Sequence, residues 1–191
     1  MEYTEIQDML DFITASPTSF QAVEQLKARL AEAGYEEQVE SAAWTLTPGG
    51  RYFTIRNHSS LLAWQMPETL DQLSFNIVAS HSDAPTFKLK PNAVICENGY
   101  LKLNTEGYGG MLCSTWMDRP LGLAGRVIVR EGEQIVSRYL NIERPLLTIP
   151  SLAIHMNREA NQGVAVNPQI DMLPLLTLIK NDLEKEDFFL K

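Results

Sequence analysis

The sequence predicts an α/β fold that gives way to a β-rich region. Three observations lead there. Two amphipathic helical periods open the chain, and a series of apolar, β-prone runs follows them. After Lys90-Pro91 the helical period stops, and glycines separate short strand patterns.

Taken in order, Tyr3 to Ala15 reads as a helix with Ile6, Met9, Leu10 and Ile13 on one face, set for the core. Pro17 ends it by pushing Ser16 out of helical geometry. Thr18 or Ser19 then caps a second helix to about Ala33, with Phe20, Val23, Leu26 and Leu30 as its apolar face and Gly34 at its C-terminal stop. Trp44 to Leu46 and Arg51 to Arg56 are expected to form a hairpin around Pro48-Gly49-Gly50. The two glycines lack the further glycine spacing and the Lys-Ser/Thr of a phosphate loop. Ser60 to Gln65 is an apolar strand, Pro67 to Gln72 a loop, and Leu73 to Ser80 a buried strand. Helices followed by several strands suggest a layered sheet. The functional end of such a sheet is at the strand C-termini, where His81 falls.

Between Asn92 and Tyr139 the strands are expected to be short, with turns at Gly99, Gly107, Gly109, Gly110 and Gly132 and a hairpin bracketing Glu131-Gly132. A domain boundary is placed near Pro91. Leu146–Ile149 and Ser151–Met156 are apolar pieces broken by Pro150, followed by a loop over Asn161 to Asp171. Leu173–Ile179 is apolar, and the charged tail Lys180–Lys191 carries Phe188-Phe189-Leu190.

Composition narrows the function. The 191 residues are 45% hydrophobic and 21% charged, ordinary for a soluble globular protein. A net charge of -8 argues against nucleic acid and anionic membrane as partners. Cys96 and Cys113 do not make a disulfide framework, and a reducing compartment is the simpler expectation. The acidic N-terminus lacks the pattern of a signal peptide, so a cytoplasmic location is expected.

The segment Ile77-Val-Ala-Ser-His-Ser-Asp-Ala-Pro85 carries the first chemical signal. His81 and Asp83 are two apart, so extended chain sends both side chains to one face. A carboxylate beside a histidine can fix its tautomer and leave the other ring nitrogen for a metal. A capped turn with an incidental histidine is the simpler reading of these two residues alone, because a zinc site needs three or four ligands. His155 follows an apolar run, where a histidine is more often a packed or hydrogen-bonded residue than a functional one.

Several stretches in register change those odds: FITASPTSFQAV, GGRYFTIRNHSSLLAW, SHSDAPTFKLKP, GYGGMLCSTWMDRPLGLAGRV, RPLLTIPSLAIHMNR and NPQIDMLPLL. Together, from about Ile6 to about Lys180, they resemble the N-terminal part of aspartyl aminopeptidases, a family of two-zinc exopeptidases. The resemblance implies a three-layer α/β/α zinc-aminopeptidase catalytic domain, here its N-terminal part over residues 1–91. It implies a β-rich inserted dimerisation domain over residues 92–191, with both domains incomplete. It implies two zinc ions per complete active site, His81 as a ligand, Asp83 as the residue that orients it, and His155 as a group that reaches a neighbouring subunit's active site. It further implies a peptide substrate with an acidic N-terminal residue and a homo-oligomer built from dimers, a dodecamer when complete. The chain departs from the family at Met117, Pro120 and Gly122, where Phe, Asp and Ser are usual, and Pro120 is expected to affect a turn. The remaining metal ligands and the general base of the family have no counterpart between Asn92 and Lys191. The expectation is therefore a piece of a longer enzyme, inactive alone. The alternative is a non-catalytic truncated subunit that serves as an interaction module.

Overall fold

The computed structural model describes residues 3–69 and 74–179. These residues form α1 (Tyr3–Ala15), α2 (Ser19–Glu32), β1 (Glu36–Glu37), β2 (Arg51–Arg56), β3 (Ser60–Gln65), β4 (Thr86–Glu97), β5 (Tyr100–Tyr108), β6 (Leu121–Glu131), β7 (Gln134–Leu147) and β8 (Leu175–Leu178). Short 3-10 turns cover Cys113–Trp116 and Ala160–Gln162. The chain divides into two compact units, residues 1–84 with 124–141, and residues 85–123 with 142–191. The expected boundary at Pro91 falls inside β4.

In the first unit, β1 pairs parallel with β2, and β2 pairs antiparallel with β3. Asn57 and His58, at φ 50° and 58°, turn the chain between β2 and β3. The core is Ala22 and Val23 of α2 with Tyr52 and Phe53 of β2. Thr18 stands at the N-cap of α2, but its hydroxyl is bonded to the Gln21 side chain and leaves the helix N–H groups uncapped by it. Gly34, at φ 79°, ends that helix in the left-handed conformation a glycine takes without steric cost. The tip of the β6–β7 hairpin belongs to this unit. Tyr139 stacks on Phe20 at 6.0 Å, Arg126 lies 4.4 Å over the same ring, and Gln21 donates to the Leu140 carbonyl at 3.0 Å.

Three expectations for this unit are corrected. No residue of α1 is buried, and the stripe of Ile6, Met9, Leu10 and Ile13 is exposed. The helix is joined to α2 by its other side, where Arg29 grips the Asp8 carboxylate with two nitrogens at 2.9 and 2.8 Å and lies over Phe12. Trp44–Leu46 forms no strand. Trp44 instead stacks on Trp64 at 5.3 Å and donates to the Val39 carbonyl, and the partner of β2 is β3. Residues 74–80 also form no strand, with Phe75, Ile77 and Val78 exposed, Val78 fully so. Their side chains favour a sheet, but a strand exists only when its backbone groups find a ladder, and none of the described strands pairs with them. Leu73 and the part of the Pro67–Gln72 loop from residue 70 lie outside the described residues.

The second unit is β-rich, but its strands are longer than expected. β4 runs through Pro91 because the register shifts between Leu89 and Val94, which accommodates a residue that has no N–H to give. Asn98-Gly99, at φ 51° and 79°, is the two-residue turn that joins β4 to β5, with Glu97 facing Tyr100. Gly107, expected at a turn, pairs with Phe87 inside β5. Leu101, Leu103 and Thr105 alternate inward along β5. Leu101 and Leu103 pack with Leu147, flanked by Val94, Cys96, Leu121, Leu146, Leu176 and Ile179. β8 closes the sheet against β5. Pro120 is exposed just before β6. The tail with Phe188, Phe189 and Leu190 lies outside the described residues.

Candidate metal ligand and its surroundings

His81 and Asp83 sit in the first unit, between residues 74–80 and β4. The Nδ1 atom of His81 is 2.7 Å from the backbone carbonyl oxygen of Asp83 and 3.3 Å from its Oδ1. A carbonyl only accepts, so Nδ1 carries the proton in the neutral ring and Nε2 keeps a free lone pair. The backbone of Asp83, more closely than its carboxylate, therefore sets the tautomer. The carboxylate adds a favourable charge on the same side. The imidazole side chain is 81% exposed. Between the two residues, Ser82 donates through Oγ to the Ser59 carbonyl at 2.9 Å, which ties the segment to the turn between β2 and β3.

His155 belongs to the second unit. It lies in a turn in which the Ala153 carbonyl accepts from Met156 N at 2.8 Å and Asn157 N at 3.2 Å. His155 is exposed, and so are its apolar neighbours Leu152, Ile154 and Met156. Ile149, at the root of the loop, is completely buried.

One feature near that root has no signal in the sequence. Asp118 adopts φ 54°, and its backbone N–H donates to the Ile149 carbonyl at 2.9 Å. Its Oδ1 accepts from Ser151 N at 2.9 Å, and its Oδ2 accepts a short bond from Ser151 Oγ. The Ser151 hydroxyl, followed by the Ser151 backbone N–H, holds the Asp118 carboxyl below the ordinary carboxylate range. The second unit also holds a small, open cavity of about 110 Å³, lined in part by Phe87, Leu103, Thr105, Trp116 and Leu147. Its lining carries no titratable side chain.

Zinc takes three or four protein ligands. Among the described residues no group of three or more His, Cys, Asp or Glu side chains is placed to hold a metal ion. His81, with Nε2 open and Nδ1 tied, fits one coordination position and not a complete centre. No helix of the described residues is long and apolar enough to cross a membrane.

The chain belongs to the aminopeptidase I zinc metalloprotease (M18) family, whose pattern it matches over residues 12–188. It is 46% identical over 187 residues to the probable M18 family aminopeptidase 2 of Clostridium acetobutylicum, covering 96% of this chain and 43% of that protein. Among solved structures it resembles a chain in the cryo-EM structure of the Ape4 and Nbr1 complex, with TM-score 0.87, 39% identity, and coverage of 95% of this chain and 35% of that one. It also resembles the S. cerevisiae mApe1 dodecamer, with TM-score 0.66, 26% identity, and coverage of 92% of this chain and 48% of that one. The fold is thus part of the α/β fold of M18 aminopeptidases. The chain spans less than half the length of each of these relatives.

Proposed function

We propose that this chain supplies one zinc ligand and one substrate-facing histidine to an aminopeptidase that removes acidic residues, Asp or Glu, from peptide N-termini. The observation that carries the proposal is the His81 imidazole, exposed and held through Nδ1 by Asp83. His81 would hold zinc through Nε2, and Asp83 would fix the ring. A zinc centre, two ions in the complete site, supplies Lewis acidity for amide hydrolysis. His155 would donate a hydrogen bond to the oxygen on which negative charge develops during attack on the first peptide carbonyl. Its exposed turn, flanked by exposed Leu152, Ile154 and Met156, suits insertion into a neighbouring subunit. Residues 1–91 would belong to the catalytic domain, and residues 92–191 to an inserted dimerisation domain. The working state would be a cytoplasmic homo-oligomer built from dimers, which the dodecamer formed by the yeast relative supports.

The chain's described residues hold no further ligand group, so the chain alone is proposed to be inactive. That same observation favours a second reading, a non-catalytic interaction module. Gel filtration with a zinc assay on the assembled full-length enzyme tests both. Zinc present in the native assembly and depleted in His81→Ala supports the aminopeptidase, whereas assemblies that are zinc-free with or without His81→Ala support the module.

A further inference from the structure

We propose that Asp118 is a positioning residue that clamps the root of the His155 loop. The inference deepens the role given to His155 above and rests on it. Three contacts, all within the second unit, converge on the two residues flanking Pro150. Asp118 N–H holds the Ile149 carbonyl, and the Asp118 carboxylate holds both the N–H and the hydroxyl of Ser151. Met117 and Ile149 form an isolated parallel bridge beside them. On the other side of Ile149, Thr148 and Leu175 exchange two backbone hydrogen bonds at 3.2 and 2.8 Å. The loop therefore leaves a fixed root. Beyond Ser151 the backbone bonds of the turn are local, with the Ala153 carbonyl accepting from the N–H groups of Met156 and Asn157. A histidine four residues past the clamp depends on it for direction.

The backbone of Asp118 fits this role. A left-handed φ of 54° is tolerated by Asp and Asn and avoided by most other side chains. That conformation presents N–H and carboxylate to the same short segment, which an extended residue would not do. The two bonds to the carboxylate are charge-assisted and so stronger than neutral ones. Asn at this position would keep the conformation, accept from Ser151 N–H and donate to Ser151 Oγ. Gly would keep the conformation and lose both contacts.

The test compares hydrogen exchange in the full chain for the native protein, Asp118→Gly and Asp118→Asn. Asp118→Gly is expected to speed exchange from Ser151 to Asn157 by about tenfold or more, with β4 and β5 unchanged, and Asp118→Asn to stay within about threefold. A loop as slow in Asp118→Gly as in the native protein overturns the clamp, as does equal acceleration in Asp118→Asn. Should Asp118→Gly also speed β4 and β5, Ser151→Ala decides, since it removes only the hydroxyl bond. Acceleration confined to the loop supports the clamp, and none overturns it. In the assembled zinc-loaded enzyme, kcat should fall in Asp118→Gly and His155→Ala alike and recover in Asp118→Asn. A fall in His155→Ala with none in Asp118→Gly overturns the positioning role. No fall in either, with the loop accelerated, removes the role of His155 and leaves the clamp standing.

Discussion

The Nδ1 atom of His81 lies 2.7 Å from the backbone carbonyl oxygen of Asp83, closer than the 3.3 Å to that residue's carboxylate. The orientation of the ring thus begins with the chain itself. The side chain of Asp83 is a second contribution, acting through charge.

This gives a first prediction about Asp83→Asn. The carbonyl bond remains, so His81 should keep its proton on Nδ1, read by nitrogen chemical shifts of the imidazole in the purified chain. Zinc affinity of the assembled enzyme should fall by only about tenfold, the low end for loss of an orienting partner. A switch of tautomer would show that the carboxylate, and not the backbone, fixes the ring.

Burial separates Leu103 from Leu10, whose helical stripe the sequence set for the core. Leu103→Ala removes a side chain that is 1% exposed and packed with Leu101 and Leu147, and should cost about 2–5 kcal/mol. Leu10→Ala alters the exposed stripe of α1 and should stay within about 0.5 kcal/mol. Denaturant unfolding of the chain measures both. A large cost for Leu10→Ala would mean that the α1 stripe is covered.

Asp118 provides a pH test. Its carboxyl is held low in the folded chain, first by the Ser151 hydroxyl and then by the Ser151 N–H. A depressed carboxyl contributes stability above its unfolded pKa of about 3.9, and the contribution is lost as pH falls through the lower folded value. Protection of the Ser151 amide, corrected for intrinsic exchange, should therefore hold from neutral pH to about pH 4 and decay below it. A carboxyl titration of Asp118 centred at or above the ordinary value would contradict the two bonds.

Local signals served the local elements well. The periodicity of Tyr3–Ala15 and Ser19–Glu32, Gly34 at the end of α2, and the turn at Gly132 all lie within a few residues of what they determine. Ladder partners do not. Phe75 to Ala79 has the side chains of a strand, yet forms none, because pairing depends on distant backbone. Trp44–Leu46 failed for the same reason once β3 took the edge of β2. β4 passed through Pro91 because a register shift relieved the missing donor, and no local pattern announces such a shift. At the candidate site, the two-residue spacing of His81 and Asp83 suggested an approach through extended chain, but the chain bends at Ser82 and a carbonyl makes the closer contact. The bonds from Asp118 to Ser151 span 33 residues and depend on a left-handed aspartate, so the sequence carried no sign of them.

On the proposed assignment, His81 holds zinc and His155 does not. Metal analysis of the assembled enzyme tests it, with native protein, His81→Ala and His155→Ala purified side by side and turnover recorded on the same samples. Depleted zinc is expected in His81→Ala, and full zinc in His155→Ala with kcat lowered by about a hundredfold. Full zinc in His81→Ala, or equal zinc loss in both variants, would contradict it.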